Sequence, residues 1–256
     1  LVILQKNTLK FLIGYKMKSI YSWLVLIVSF IVLISSCKSS DDSSSADTCT
    51  GLFIAVGTSG TILTSPCGTT WTAQTSGTSN YLRSVAYDGS STLVAVGNSG
   101  TILSSSDGTT WTSRTSGTSD NITNVFYKTG GGFVATGGNG LLIISADGTT
   151  WTSKTSGCGM TEDMWSINLE SSTGVIIGDN GSIYTSTDRG ESCTKRTSGT
   201  TNELNELLYG NSTFVAVGDN GTVLTSSDGI TWTSRSSSTT NDLYGGAYTD
   251  SNNDGN

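Results

Sequence analysis

A unit of about forty residues occurs five times in this chain, and no other feature restricts the fold as strongly. "LFIAVGTSGTILTSPCGTTWTAQTSG" starts at Leu52, "TLVAVGNSGTILSSSDGTTWTSRTSG" at Thr92 and "GFVATGGNGLLIISADGTTWTSKTSG" at Gly132. A looser copy starts at Thr173 and a fifth, "TFVAVGDNGTVLTSSDGITWTSR", at Thr213. Trp71, Trp111 and Trp151 share one column; Cys193 takes it in the fourth copy and Trp232 restores it in the fifth. Within each copy, "FVAVG" is short, β-branched and alternating, which suits a strand. A Gly-containing turn follows, then the strands "TILTS" and "TTWTSR". Between copies lies one more alternating stretch, such as "YLRSVAY" or "ELNELLY". Four short antiparallel strands per period, with no helical stretch, predict an all-β chain: a β-propeller of four-stranded antiparallel blades. The unit recurs because one blade cannot bury its own faces.

The first copy begins at Leu52 without its leading strand, whereas Leu243–Tyr248 is a leading strand with no blade after it. Five blades closed by this C-terminal strand are therefore expected, since closure removes exposed sheet edges. The other reading is a truncated gene with further blades.

The turn before each Trp column carries a motif. Ser186-Thr187-Asp188-Arg189-Gly190-Glu191-Ser192-Cys193 matches S-x-D-x-G-x-x-W except at its last place, and Ser105 to Trp111 is the same box one residue shorter. This resembles the BNR/Asp-box propellers. The whole unit is similar to the repeats of the photosystem II assembly factor (Ycf48-like) group, over nearly all of residues 49–250. The resemblance implies a non-enzymatic binding or assembly scaffold. An Asp in such a turn accepts hydrogen bonds from the turn's own N–H groups, and the Trp supplies apolar surface between blades. Asp107, Asp147, Asp188 and Asp228, with Trp111, Trp151 and Trp232, are thus structural; a motif repeated in every blade points around the ring and does not converge on one site. Cys67 replaces the Asp of the first box, which must be weaker or otherwise tied.

The N-terminus reads separately. Residues 1–16 precede Met17 and are taken as leader residues; residues 17–36 hold a Lys, a short apolar run and "LISSC", the pattern of a secretory signal. The run is short for a membrane span. Its end resembles the lipobox of bacterial lipoproteins, which implies cleavage before Cys37, lipid on that residue, and anchorage at a bacterial outer membrane or cell surface. A plain signal peptide with an incidental Cys is the alternative. Residues 37–48 are a Ser/Asp-rich tether, and residues 49–256 form the propeller.

Composition excludes several chemistries. Without residues 1–36 the chain has 9 basic and 20 acidic residues, a net of −11, which disfavours nucleic acid. It has no His, and so no His-dependent triad or His-ligated zinc. No cofactor or metal is expected. Asp250 to Gly255 matches half of a calcium loop, but the turn reading is preferred there.

Columns that vary between repeats are where function can sit. The starts of the leading strands line one mouth of the channel, with Tyr81, Asn121, Asp163, Glu203 and Asp242 in one column and Arg83, Trp165 and Tyr244 two places on. Trp165 follows the one enlarged inter-blade loop, Cys158–Asp163. Aromatics beside carboxylates suit a sugar or cation ligand; a solvated polar rim is the plainer reading. Three functions stay open: a lipid-anchored scaffold for a protein or glycan, a glycosidase using Asp163, Glu203 and Asp242, and a structural surface protein without a discrete ligand. For the cysteines, Cys49 and Cys67 fall on turns of the same face of the first blade and are expected to bond. Cys158 and Cys193 fall at opposite ends of their blades and are expected to be unpaired.

The lipobox reading has a direct test: Cys37→Ser should move the protein from the membrane to the soluble fraction and abolish fatty-acid labelling, whereas a labelled, membrane-bound variant would remove the reading.

Overall fold

A computed structural model describes residues 32–34, 51–169 and 171–249. These residues form five four-stranded antiparallel sheets, each a meander in chain order. The first holds β1 (Val32–Ile34), β2 (Leu52–Val56), β3 (Ile62–Ser65) and β4 (Thr72–Gln74). The second holds β5 (Leu82–Tyr87), β6 (Leu93–Gly97), β7 (Thr101–Ser105) and β8 (Thr112–Arg114). In the third are β9 (Ile122–Lys128), β10 (Gly132–Gly137), β11 (Leu142–Ser145) and β12 (Thr152–Ser153). The fourth comprises β13 (Met164–Asn168), β14 (Gly174–Gly178), β15 (Ile183–Ser186) and β16 (Thr194–Arg196). The fifth comprises β17 (Leu204–Gly210), β18 (Thr213–Gly218), β19 (Val223–Ser226) and β20 (Thr233–Arg235). The all-β propeller architecture is the one the repeat predicts.

Packing runs from blade to blade through the inner strands, β5 against β9, β9 against β13 and β13 against β17. Each apolar cluster accordingly straddles two sheets: Ile54 and Val56 meet Leu82 and Leu93, and Val94 and Val96 meet Ile122 and Phe133. Further along, Val134 and Leu142 meet Met164 and Ile176, and Val175 and Ile177 meet Leu204 and Phe214. Trp111, Trp151 and Trp232 each lie against such a cluster. The box glycines make close approach possible. Gly108 has φ 74°, and a Cβ there would come within 2.5 Å of Leu52 on the preceding blade.

The boxes work as local clamps. Asp107 Oδ1 accepts the N–H groups of Thr109 and Thr110 at 2.7 and 2.8 Å, and Asp147 and Asp228 repeat this. The N–H bonds from Thr110 and Thr109 hold the Asp107 carboxyl well below the ordinary carboxylate range. In the longer fourth box, the Ser192 hydroxyl and N–H lower Asp188 to about 2. The first box keeps its serine clamp, Gly68 N–H to Ser65 Oγ at 2.8 Å, and Cys67 is disulfide-bonded. Cys49, like Cys37, the signal and tether assignments and Asp250, lies outside the described residues apart from β1.

Two expectations are corrected. The inner place of the first sheet is filled by β1, in register Val32 to Ile54 and Ile34 to Leu52, and Leu243–Tyr248 is not a strand. The start of that segment nevertheless makes the contact of a next blade's inner strand: Leu243 N–H donates to Gly218 O of blade five at 3.1 Å, as Leu82 N–H of blade two does to Gly57 O of blade one at 3.0 Å. An open edge accepts any extended apolar segment that reaches it. β1 fills this one in the full-length chain, and the cleavage expected before Cys37 would remove β1 and free the edge for another segment. Second, Cys158 and Cys193 form a disulfide. The argument from opposite faces assumed a full fourth strand, but β12 has two residues and the chain then turns in a short helix, α1 (Thr155–Cys158). This turn brings Cys158 back to the box of the next blade, where a Cβ on Gly157 would meet Glu191 O at 2.2 Å. The blade alignment itself is unchanged.

One seam carries a buried acid. Glu206, 9% exposed, takes a column held elsewhere by Ser84, Asn124 and Ser166. Among the described residues its carboxylate accepts two bonds, from the Ser166 hydroxyl and the Leu207 N–H, both at 3.2 Å. Burial pushes its pKa up from 4.5 to about 7. Between those values the unfolded chain ionises first, so stability is full below pH 4.5 and declines as the pH rises toward 7. Glu206→Gln should therefore leave urea unfolding at pH 4 nearly unchanged and stabilise the domain by roughly 2–3 kcal/mol at pH 8. Equal shifts at both pH values would contradict this.

Candidate functional site

The mouth is built by a bulge. In each of the second to fifth blades the pairing of inner and second strand skips one residue: Arg83, Thr123, Trp165 or Asn205. A bulged residue is released from strand alternation and re-aimed. Three of these four turn to the short turn that follows the second strand of their own blade. Arg83 Nε donates to Asn98 Oδ1 at 2.6 Å, Asn205 Nδ2 to Asp219 Oδ1 at 2.9 Å, and Trp165 Nε1 to Asp179 Oδ1. Thr123, whose blade has Gly138 at the matching place of the turn, instead donates to Thr136 O at 3.1 Å and to Met164 O.

The neighbouring column joins one blade to the next. The middle residue of each turn sits at positive φ, with its N–H directed outward. Ser99 N–H donates to Asn121 Oδ1 at 3.0 Å, Asn139 N–H to Asp163 Oδ1 at 2.8 Å, and Asn220 N–H to Asp242 Oδ1 at 2.9 Å. Asn121, Asp163 and Asp242 thus cap the turn of the preceding blade. They were read from the sequence as candidate ligand contacts; the structure brings them to the mouth and gives them this capping bond.

What stays open is smaller. Glu203 is exposed, and its carboxylate makes no turn bond among the described residues. Partial burial and then the charges of Asp179, Asp219, Asp242 and Asp163 raise its pKa above the ordinary glutamate value. Tyr244, 66% exposed, points its hydroxyl at Asp242 Oδ2, 3.4 Å away. On the second blade the Arg83 guanidinium lies over the Tyr81 ring, 4.9 Å from its centroid. The mouth is polarised: one cation on blade two, and a run of carboxylates from Asp163 to Asp242. Sequence reasoning missed Asp179 and Asp219, which sit in turns treated only as hairpin connections. Their signal was the variation Thr58, Asn98, Gly138, Asp179, Asp219 directly after the strand's final glycine.

The remaining arginines do not converge. Arg114 bonds to Ser104 Oγ, Arg196 to Thr185 Oγ1 and Arg235 to Thr225 Oγ1, all from the fourth strand to the third. Arg189 Nη2 donates to Gly130 O at the other end of the ring. Among the described residues no three carboxylates or sulfurs gather as metal ligands.

Meandering four-stranded sheets, four of the five with a clamped Asp in the box turn, stacked through their inner strands, define an Asp-box propeller. The model of the family "Photosynthesis system II assembly factor YCF48" matches residues 41–187, and the chain belongs to this family. No protein of curated function matches it by sequence. Among solved structures, YCF48 from Cyanidioschyzon merolae is 16% identical with a TM-score of 0.56, covering 72% of this chain and 69% of that one. A structure of YCF48 bound to D1 peptide is 17% identical with a TM-score of 0.41, covering 72% and 78%. The WD40 propeller domain of Doa1 is 13% identical with a TM-score of 0.52, covering 77% and 69%.

The capping bonds predict a local effect. Asp163→Ala should cost about 1 kcal/mol in urea unfolding and speed amide exchange at Asn139 with little change in blade five. Unchanged exchange at Asn139 would refute the capping role.

Proposed function

We propose that this chain is a binding and assembly scaffold, held by lipid on Cys37 in a bacterial cell envelope, that receives a basic protein segment at its polarised mouth. Membership in a family of assembly factors supports a scaffold role over an enzyme. The observation that carries the choice of partner is the raised Glu203, whose charge is disfavoured by partial burial and by four neighbouring carboxylates and meets no cation among the described residues. A Lys or Arg side chain placed there relieves that repulsion, and the ring of Tyr244 offers a face beside it. The surface field would also speed encounter with a basic partner.

A glycosidase is less well supported. Of the three carboxylates available for it, Asp163 and Asp242 are occupied by turn N–H groups. Only Glu203 is left, whereas hydrolysis needs two working carboxyl groups. A glycan ligand has Tyr244 and Trp165 in its favour, but the Trp165 indole N–H is already spent on Asp179.

Fluorescence anisotropy with a labelled Lys/Arg-rich peptide and its acidic counterpart tests the proposal. The basic peptide should bind in preference, more weakly as salt rises, and Glu203→Lys should weaken it by about tenfold or more, a loss of at least about 1.4 kcal/mol. Equal binding of both peptides, or an unaffected variant, would overturn it.

A further inference from the structure

The seam between blades three and four is built differently from the others. In blades one, three and five a Phe on the second strand meets the box Trp, with ring centroids 6.4 to 6.5 Å apart. Blade four has neither ring: Gly174 takes the Phe column and Cys193 the Trp column. In their place stands the disulfide from Cys158, the last residue of α1, to Cys193, with Cα atoms 4.4 Å apart.

The same strand holds the loop again further on. Lys195, on β16 two residues after Cys193, pairs with Glu162, and Tyr184 Oη donates to Glu162 Oε2 at 3.0 Å. Burial alone would raise the Glu162 pKa, but the bond from Lys195, with those from N–H groups and Tyr184, brings it down to about 2. Lys154, just before α1, pairs with Glu191. Residues 158–163, the one enlarged inter-blade loop, are therefore fastened to the outer edge of blade four at both ends. The next residues are Asp163, which caps Asn139, and Trp165, which meets Asp179. A continuous path joins the periphery of the ring to the mouth.

We infer that the Cys158–Cys193 disulfide is a redox-sensitive strut that sets Asp163 and Trp165 in place, so that a dithiol reductant loosens this side of the mouth. The step is thiol–disulfide exchange: one reductant thiolate attacks Cys193 Sγ, and its second thiol resolves the mixed disulfide. Both cysteines end as thiols and the reductant as a disulfide, with two electrons and two protons passed to the protein. Cys193 is half-buried while Cys158 is 7% exposed, so attack at Cys193 is the open route. Once the bond is gone, the α1 end of the loop keeps only the Lys154–Glu191 surface pair among its described side-chain ties to blade four, and such pairs are weak. Glu162 and buried Met160 still hold the far end. The regulatory meaning rests on the mouth being the binding surface; the structural coupling does not.

Hydrogen exchange with mass spectrometry on the full chain, without ligand, tests the coupling. Reduction should speed exchange in peptides spanning residues 155–165 about tenfold or more and leave blades two and five unchanged. The double variant Cys158→Ser/Cys193→Ser should exchange like the reduced protein and no longer respond there to reductant, which separates this bond from the one at Cys67. Unchanged exchange in 155–165 after complete reduction, or a uniform rise across all blades, would overturn the inference. If the double variant does not fold, oxidised and reduced parent protein still decide the matter. Failure of the basic peptide to bind would leave this result readable.

Discussion

A four-stranded sheet with apolar residues on both faces has no interior of its own, and the fold depends on how the chain solves that. Apolar surface stabilises by about 25 cal/mol per Å² only when something covers it. Here every cluster is shared between two sheets, with Val94 and Val96 covered by the next blade's Ile122 and Phe133. Each blade is thus both core and lid for its neighbour. Stability in such an array is close to a sum over nearest-neighbour seams. The seams need not be equal, and the third to fourth, with a disulfide where blades one, three and five have a Phe and a Trp, shows a second chemical solution to the same demand.

The parts of the fold that were legible in the sequence are those fixed by local chemistry. Strand alternation, turn glycines and the Asp boxes each act over a few residues, so repeat-by-repeat reading placed all but one of the twenty strands and made Asp107 and its equivalents structural. Misreadings arose where the chain left the repeat. Cys158 was assigned to the wrong end because α1, a single turn, reverses the chain after two strand residues instead of three. The first inner strand was sought at Leu243–Tyr248 although Val32–Ile34 fills that place, because edge pairing is indifferent to sequence distance. At the mouth, Asn121, Asp163 and Asp242 looked like free polar groups, since no sequence pattern shows a backbone N–H arriving from another blade.

Electrostatically the mouth is a compromise between structure and surface. Its carboxylates serve the turns first, and the charge that results is gathered on blades four and five. Glu203 takes the column position of the capping residues without their bond, so it bears the repulsion of the others. Arg83, stacked on Tyr81 and bonded to Asn98, stands on the opposite side. A ligand entering this mouth meets a gradient across it and not a uniform ring.

The bulge at the start of each inner strand has a consequence for how such a protein diversifies. A residue inside a regular strand is bound to one face, and changing its character disturbs the core or the solvent side. Arg83, Thr123, Trp165 and Asn205 stand outside that count, because the pairing steps over them. A cation, a hydroxyl, an indole and an amide occupy the same geometric slot with no shift in the register that follows. Each of blades two to five therefore offers one editable letter at the rim, and ligand preference can drift one letter at a time while the sheets beneath keep their spelling.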